Sequence, residues 1–181
     1  MKEIRIHARA GQGAITTASL FGDAVFEDGN FTYAFPHFGA ARMGAPMNAF
    51  IRIDSKPIRM RNQVTNPDYV IVIDPSLMDG VDVFSGVNQN GLILINSKYD
   101  LNELKKQKSN FKIYTVDADR IATEIIGKAI VNTVLLGCFS ALTDEFSFES
   151  LVKAIKKRFS SKLIDQNIKL ATYGYEYFSK K

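Results

Sequence analysis

Apolar residues recur along the 181-residue chain with the two-residue period of strands in its first part and with the helical period towards its end. Near the N-terminus, Ile4 and Ile6 alternate with charged residues and predict a first strand over residues 4–7. Gly11 and Gly13 follow, and a helical pattern then continues to about residue 27. Three later runs are apolar almost throughout and end in Asp or Asn, as strands buried on both faces do: residues 69–74, 91–96 and 112–117. We expect these terminal polar side chains to cap the next helix or to bind loop amides.

The remaining pattern predicts edge strands and a helical C-terminal part. Residues 31–35 are expected to form a second strand that Pro36 stops. Two more strands, residues 47–53 and 58–61, are expected to pair through a hairpin turn. Four helices are predicted after Asp117, over residues 118–127, 130–142, 147–159 and 162–178. The sequence therefore predicts a single domain over residues 1–181, with a three-layer α/β/α fold, a mixed and mainly parallel sheet, a Rossmann-like glycine loop after strand one and a helical C-terminal part.

Composition and charge exclude several classes of function. The formal net charge of +4 is far from the concentrated basic face of a nucleic-acid binder. The one cysteine, Cys138, cannot form an internal disulfide or hold an iron–sulfur cluster, and its apolar neighbours predict a buried structural thiol. We find no secretory leader and no apolar run of membrane-spanning length, so we expect a cytoplasmic protein without a membrane partner.

The glycine stretch is the first candidate for chemistry. A strand, a glycine turn and a helix start together make an anion site from backbone amides, although the same glycines could simply turn the chain. A nicotinamide dinucleotide fits poorly, because Thr16 occupies the third glycine position and no acid ends the second strand. A nucleoside triphosphatase is disfavoured by the missing lysine and hydroxyl pair. His7, beside the loop, either contacts a ligand or is satisfied by a neighbouring carbonyl.

A second candidate is the loop expected over residues 36–46. It has no acidic residue and contains His37, Phe38, Arg42 and Gly44. A cation among apolar groups suits an anionic organic ligand or a protein interface, and the sequence leaves both open. Because no histidine–carboxylate cluster has metal-ligand spacing, the chain does not resemble a complete enzyme and no metal site is expected on it.

Together these loops resemble the gamma subunit of 2-oxoacid:ferredoxin oxidoreductases, and within that family its pyruvate-type branch. The resemblance rests on HARAGQGA at residues 7–14, AFPHFGAARMGAP at 34–46 and IRID at 51–54, and it continues through NPD at 66–68, VDA at 116–118 and NTVLLG at 132–137. It implies oxidative decarboxylation of pyruvate with coenzyme A and ferredoxin, in a complex with alpha, beta and delta subunits. The complex would use thiamine diphosphate, Mg²⁺ and iron–sulfur clusters, none held tightly by this chain.

For individual residues, the resemblance implies that Arg9, Gly11, Gln12, Gly13 and Ala14 meet coenzyme A phosphates. No catalytic residue is carried over. His37, Phe38, Arg42 and Gly44 would serve assembly, coenzyme A binding or both. Three alternatives stay open: a gamma subunit for branched-chain 2-oxoacids such as 2-oxoisovalerate, a purely structural interaction module, and a free-standing nucleotide-binding protein or oxidoreductase.

Overall fold

Six strands and six α-helices make up the computed structural model, which describes residues 1–38 and 42–180 apart from the side chain of Phe38. The strands are β1 (Lys2–Arg9), β2 (Phe31–Phe38), β3 (Pro46–Asp54), β4 (Tyr69–Val72), β5 (Leu92–Asn96) and β6 (Lys112–Val116). The helices are α1 (Ala14–Glu27), α2 (Asn102–Gln107), α3 (Ala118–Ile126), α4 (Asn132–Leu142), α5 (Phe148–Arg158) and α6 (Ser161–Ser179), and a 3-10 helix spans Pro75–Asp79. The α/β class, the mixed sheet and the helical C-terminal part are confirmed.

The strand order in the sheet is β2-β3-β1-β4-β5-β6. β1, β4, β5 and β6 pair in parallel, whereas β3 is antiparallel to both β1 and β2. Two reversals restore the direction, so β2 points the same way as β1. The carboxyl ends of β1, β2, β4, β5 and β6 consequently share one edge, called the carboxyl edge below, and the loop between β2 and β3 lies there beside the loop after β1.

The predicted hairpin between residues 47–53 and 58–61 is wrong. β3 pairs instead with β2, and residues 58–61 form no strand. Pro36 also does not stop its strand, which runs on to Phe38. A proline is tolerated there because β2 is at the edge of the sheet, where one side of the backbone needs no ladder hydrogen bond.

The two faces of the sheet are covered unequally. One face packs on α1, α3, α4, α5 and α6, around an aromatic cluster of Phe21, Phe139 and Phe146. The other face has a smaller core, in which β4 and β5 meet Phe84 and residues at the start of α2. The large core is therefore on the helical side, and it fixes how α1 and α4 approach the carboxyl edge.

Helices α4 and α6 are in contact through glycines. A Cβ added to Gly137 would lie 2.0 Å from the Ala171 carbonyl oxygen, and one added to Gly174 would lie 2.1 Å from the Val134 carbonyl oxygen. Only glycine allows the two backbones to approach this closely. In the described part of the chain, no helix is long and apolar enough to cross a membrane.

Candidate functional site

The loop between β1 and α1 turns through left-handed backbone at both of its glycines. Gly11 has φ +99° and Gly13, the N-cap of α1, has φ +77°. A residue with a side chain would be strained at either position, and a Cβ on Gly13 would also lie 3.0 Å from the Asn132 amide nitrogen. These two conformations bring the loop backbone over the start of α1.

Five backbone N–H groups of this loop have no acceptor among the described residues. They belong to Gly11, Gly13, Ala14, Ile15 and Thr16. Three of them lie in the first turn of α1, where the helix supplies no partner and carries partial positive charge. Such a group of free donors is suited to the oxygens of a phosphate or carboxylate.

The side chains of Arg9 and Gln12 hold the loop against the end of β4. Gln12 donates to the Asp74 carboxylate at 2.7 Å and accepts from the Arg9 backbone amide at 2.8 Å. The Arg9 Nε lies 3.2 Å from the same carboxylate. Burial alone would raise the pKa of Asp74, but hydrogen bonds from Ser76 and Gln12 and the charge of Arg9 offset it and lower this pKa below its usual value. The carboxylate therefore stays ionised and anchors the loop.

Asn132, the first residue of α4, fixes the loop from the helical side. Its Nδ2 lies 3.1 Å from the Gln12 carbonyl, 3.2 Å from the Gly13 carbonyl and 2.7 Å from the Thr17 hydroxyl. The resemblance included Asn132 only as part of a motif and gave it no role. Nothing local could have revealed that role, because 119 residues separate Asn132 from Gly13.

The loop between β2 and β3 is bonded to the glycine loop. The Ala10 amide donates to the Ala45 carbonyl at 2.9 Å, and the Gly44 amide donates to the Ala10 carbonyl at 3.0 Å. Arg9 Nη1 adds a hydrogen bond to the Gly44 carbonyl at 3.2 Å. Met43, 87% exposed, lies against Gly11. The two loops predicted separately from the sequence therefore form one surface at the carboxyl edge.

The other residues predicted in this loop are placed differently. Arg42 is exposed, and its guanidinium has no hydrogen-bond or ion-pair partner among the described residues, so it is an available cation beside the glycine loop. His37 lies within β2, outside the loop, and its ring is within 3.2 Å of the Gln63 side-chain amide. Phe38 ends the same strand. Residues 39–41 of the predicted loop lie outside the described part of the chain.

His7 faces away from the glycine loop and is 4% exposed. Its Nε2 accepts a hydrogen bond from Arg5 Nε at 3.0 Å. The partner of His7 is therefore a guanidinium, whereas the sequence predicted either a ligand or a neighbouring carbonyl. Burial, reinforced by the charge of Arg5, lowers the pKa of His7 to about 4. His7 is thus a neutral part of the smaller core.

The polar residues that end β4, β5 and β6 have the expected capping and loop-binding roles. Asp74 accepts from the Ser76 amide, and Asp117 accepts from the Arg120 amide at the start of α3. Asn96 binds the Ala118 amide through its carbonyl oxygen. These residues shape two adjoining cavities of about 280 and 500 Å³, which share Pro75, Asn96 and Asp119. The smaller cavity begins at Gly11 and Gln12.

Cys138 lies in α4 and is fully buried, as its apolar neighbours predicted. Burial raises the pKa of the Cys138 thiol, which keeps the thiol protonated and unreactive. Within residues 1–38 and 42–180, no group of three or more His, Cys, Asp and Glu side chains is arranged to hold a metal ion.

Comparison with known proteins identifies the class to which this fold and this loop pair belong. The model of the family described as pyruvate ferredoxin/flavodoxin oxidoreductase matches residues 3–177. The chain belongs to this family.

The relatives narrow the class to one kind of subunit. Pyruvate synthase subunit PorC of Methanothermobacter thermautotrophicus is 47% identical over 99% of this chain and 97% of the relative. The pyruvate/ketoisovalerate oxidoreductases common subunit gamma of Pyrococcus furiosus is 44% identical over 97% of this chain and 96% of the relative. The crystal structure of pyruvate oxidoreductase subunit PORC from Thermotoga maritima has a TM-score of 0.85 and 38% identity, with 97% of this chain and 95% of that chain covered. The resemblance to gamma subunits is confirmed.

Proposed function

We propose that this chain is the gamma subunit of a pyruvate:ferredoxin oxidoreductase and that its glycine loop binds the phosphates of coenzyme A. The complex would convert pyruvate, coenzyme A and oxidised ferredoxin to acetyl-coenzyme A, carbon dioxide and reduced ferredoxin. The similarity to pyruvate synthase subunits over nearly the whole chain supports the assignment to this complex. The observation that carries the coenzyme A role is the set of five free amides in the glycine loop and the first turn of α1.

The chain's own residues suit one task within that reaction. Thiamine diphosphate with Mg²⁺ and the iron–sulfur clusters, which supply the carbanion and electron-transfer chemistry, would be held by alpha, beta and delta subunits. Cluster ligation needs several cysteine thiolates, and this chain offers one cysteine, whose thiol is buried. The task left for the carboxyl edge of this chain is to bind and orient coenzyme A, which accepts the acyl group.

The geometry suggests how charge is shared at the loop. Arg9 uses Nε on Asp74, Nη1 on Gly44 and Nη2 on Ser76, so it mainly builds the site, and two of its five N–H groups are left for a ligand. Gln12 is likewise engaged within the loop. The phosphates would therefore bind chiefly to backbone amides, with the exposed Arg42 of the neighbouring loop as a further cation.

Substitution of Gly13 in the assembled complex tests this role. Gly13→Ala strains the left-handed N-cap and pushes the added Cβ towards Asn132, which displaces the amides. We expect the KM for coenzyme A to rise at least about tenfold, which corresponds to the loss of one hydrogen bond to a charged group, while the KM for pyruvate is unchanged.

Gly29→Ala is the matched control. Gly29 also has a left-handed φ, +84°, but it lies beyond the other end of α1, where an added Cβ meets nothing within 4 Å. The control should carry the same backbone strain without the effect on coenzyme A. An intact complex in which Gly13→Ala leaves the coenzyme A kinetics unchanged would instead favour the alternative of a purely structural module.

The choice of 2-oxoacid is tested separately. A relative is named as the subunit common to pyruvate and ketoisovalerate oxidoreductases, so a gamma chain of this kind can serve two substrates in that organism. We propose pyruvate here and place substrate choice on the other subunits. Assaying the purified complex against pyruvate and 2-oxoisovalerate, with coenzyme A and a viologen acceptor, tests the assignment; faster turnover of 2-oxoisovalerate would overturn it.

A further inference from the structure

The part of the chain from Asn30 to Pro67 has an unusual charge balance. It contains five cationic residues (Arg42, Arg52, Lys56, Arg59 and Arg61) and one acidic residue, Asp54. That carboxylate is already paired with the N-terminal amine at 3.2 Å. The face formed by β2 and the segment after β3 is therefore positively charged, although the whole chain has a net charge of only +4.

The segment after β3 has no ladder hydrogen bonds of its own, and the buried side chain of Arg52 supplies the order. Arg52 is 0% exposed, and its Nη1 donates to the Asn62 carbonyl at 2.8 Å. Its Nε binds Glu3 at 2.7 Å, which balances the buried charge. Burying an arginine is costly unless all its donors are used. The hydrogen bonds of Arg52 therefore hold the segment after β3 in one conformation.

Arg61 fixes the outer side of the segment. Its guanidinium lies over the ring of Tyr33 in β2, 3.9 Å from the centroid, and donates to the Ile58 and Met60 carbonyls. The contact between the planar guanidinium and the ring is stabilising and holds both groups flat. The exposed residues Lys56, Arg59 and Met60, together with Arg61 over Tyr33, are called the arginine platform below.

The positive charges of the platform are not balanced by carboxylates of the described residues. No carboxylate in the described part of the chain lies within ion-pair distance of Lys56, Arg59 or Arg61, and Met60 is 45% exposed. Arginine and methionine are enriched in protein interfaces, so the two arginines beside exposed Met60 are typical of such a surface.

We infer that the arginine platform docks an acidic face of a catalytic partner subunit, an inference that rests on the proposed function. A second copy of this chain does not fit. A twofold interface centred on the platform would place it against itself and bring like charges together. An acidic partner neutralises the charges of Lys56, Arg59 and Arg61 and covers Met60, and its charge speeds and orients association.

The test uses the gamma subunit carrying Lys56→Glu and Arg59→Glu, titrated into the complex of the remaining subunits. Both side chains are exposed and have no partner among the described residues, so the variant should fold normally, which an unchanged thermal unfolding curve verifies. We expect its affinity for the partner complex to fall at least about tenfold at low salt, and the difference from wild type to shrink at high salt.

The matched control is Lys162→Glu with Lys169→Glu on α6, which makes the same change in charge at two exposed lysines. The control should bind the partner subunits as the wild type does. Wild-type affinity of the platform variant, or equal weakening by the control, would overturn the proposal. Once the variant is driven into the complex at high concentration, its KM for coenzyme A should be normal, so failure of this proposal and failure of the glycine-loop role give different results.

Discussion

Alanine at Gly137 tests whether the close contact of α4 with α6 sets the stability of the helical layer. The added Cβ would lie 2.0 Å from the Ala171 carbonyl oxygen, and Cβ atoms essentially never come closer than 3.0 Å to a neighbour. The helices must therefore separate by about 1 Å. The obstruction is backbone, which cannot rotate away as a side chain would.

The magnitude follows from two opposing terms. Overpacking of this kind costs roughly 1–3 kcal/mol, and the rigid obstruction places Gly137 at the upper end of that range. Alanine is favoured over glycine within a helix by about 1 kcal/mol. We expect a net loss of about 2 kcal/mol, which for a chain of this size lowers Tm by roughly 4–8 °C.

Gly22→Ala in α1 provides the matched control, because its Cβ would meet the Thr32 side chain at 3.2 Å and a small side-chain adjustment relieves that contact. Circular dichroism during thermal and urea unfolding would report both variants. Equal stability of Gly137→Ala and Gly22→Ala would refute the reasoning. Since Asn132 begins the same helix as Gly137, the Gly137 variant should also show a raised KM for coenzyme A in the assembled complex.

Two further predictions concern buried ionisable side chains, His7 and Arg52. The pKa of His7 is lowered to about 4 from an ordinary 6.5, so its contribution to stability is complete above pH 6.5 and is lost as the pH falls towards 4. Urea unfolding across this range should show a decrease of roughly 2–3 kcal/mol, and His7→Gln should flatten that decrease; an equally steep curve for the variant would contradict the assignment. Arg52→Met should destabilise the chain by about 3 kcal/mol, because Glu3 and the Asn62 carbonyl lose their buried partner. Limited proteolysis should then cut near residue 60 before any other site, and unchanged cleavage would count against the role given to Arg52.

Local patterns predicted those parts of the fold whose cause is local. The glycines after β1, the buried strands and the C-terminal helices each depend on nearby residues, and their positions agree with the structure. The strand predicted over residues 58–61 is absent, although the alternation of Ile58, Arg59, Met60 and Arg61 is typical of a strand. The Arg52 guanidinium of β3 instead donates to the Asn62 and Gln63 carbonyls that follow. A pattern of side chains does not show which backbone groups a distant residue will bind.

The two loops of the candidate site could be predicted from the sequence, but the distant residues that hold the glycine loop in place could not. The two loops could be singled out one by one, but their contact depends on β3 lying antiparallel between β1 and β2. Asn132 and Asp74 reach the glycine loop from positions far along the chain, 120 and 62 residues from Gln12. The role of Asn132 follows from the packing of α4 and from nothing in its own neighbourhood. For Asp74, the end of a buried strand predicts a capping or loop-binding role but not that Gln12 is the partner.

The support of the glycine loop by Asn132 has a thermodynamic consequence for ligand binding. The loop loses its conformational freedom when α4 packs on the sheet, so that entropy is lost during folding and not when an anion arrives. Association with a phosphate should therefore be limited by diffusion and desolvation, without a slow loop-closing step. The same rigidity makes the loop sensitive to any displacement of α4, since a cradle that does not adapt cannot restore the lost hydrogen bonds.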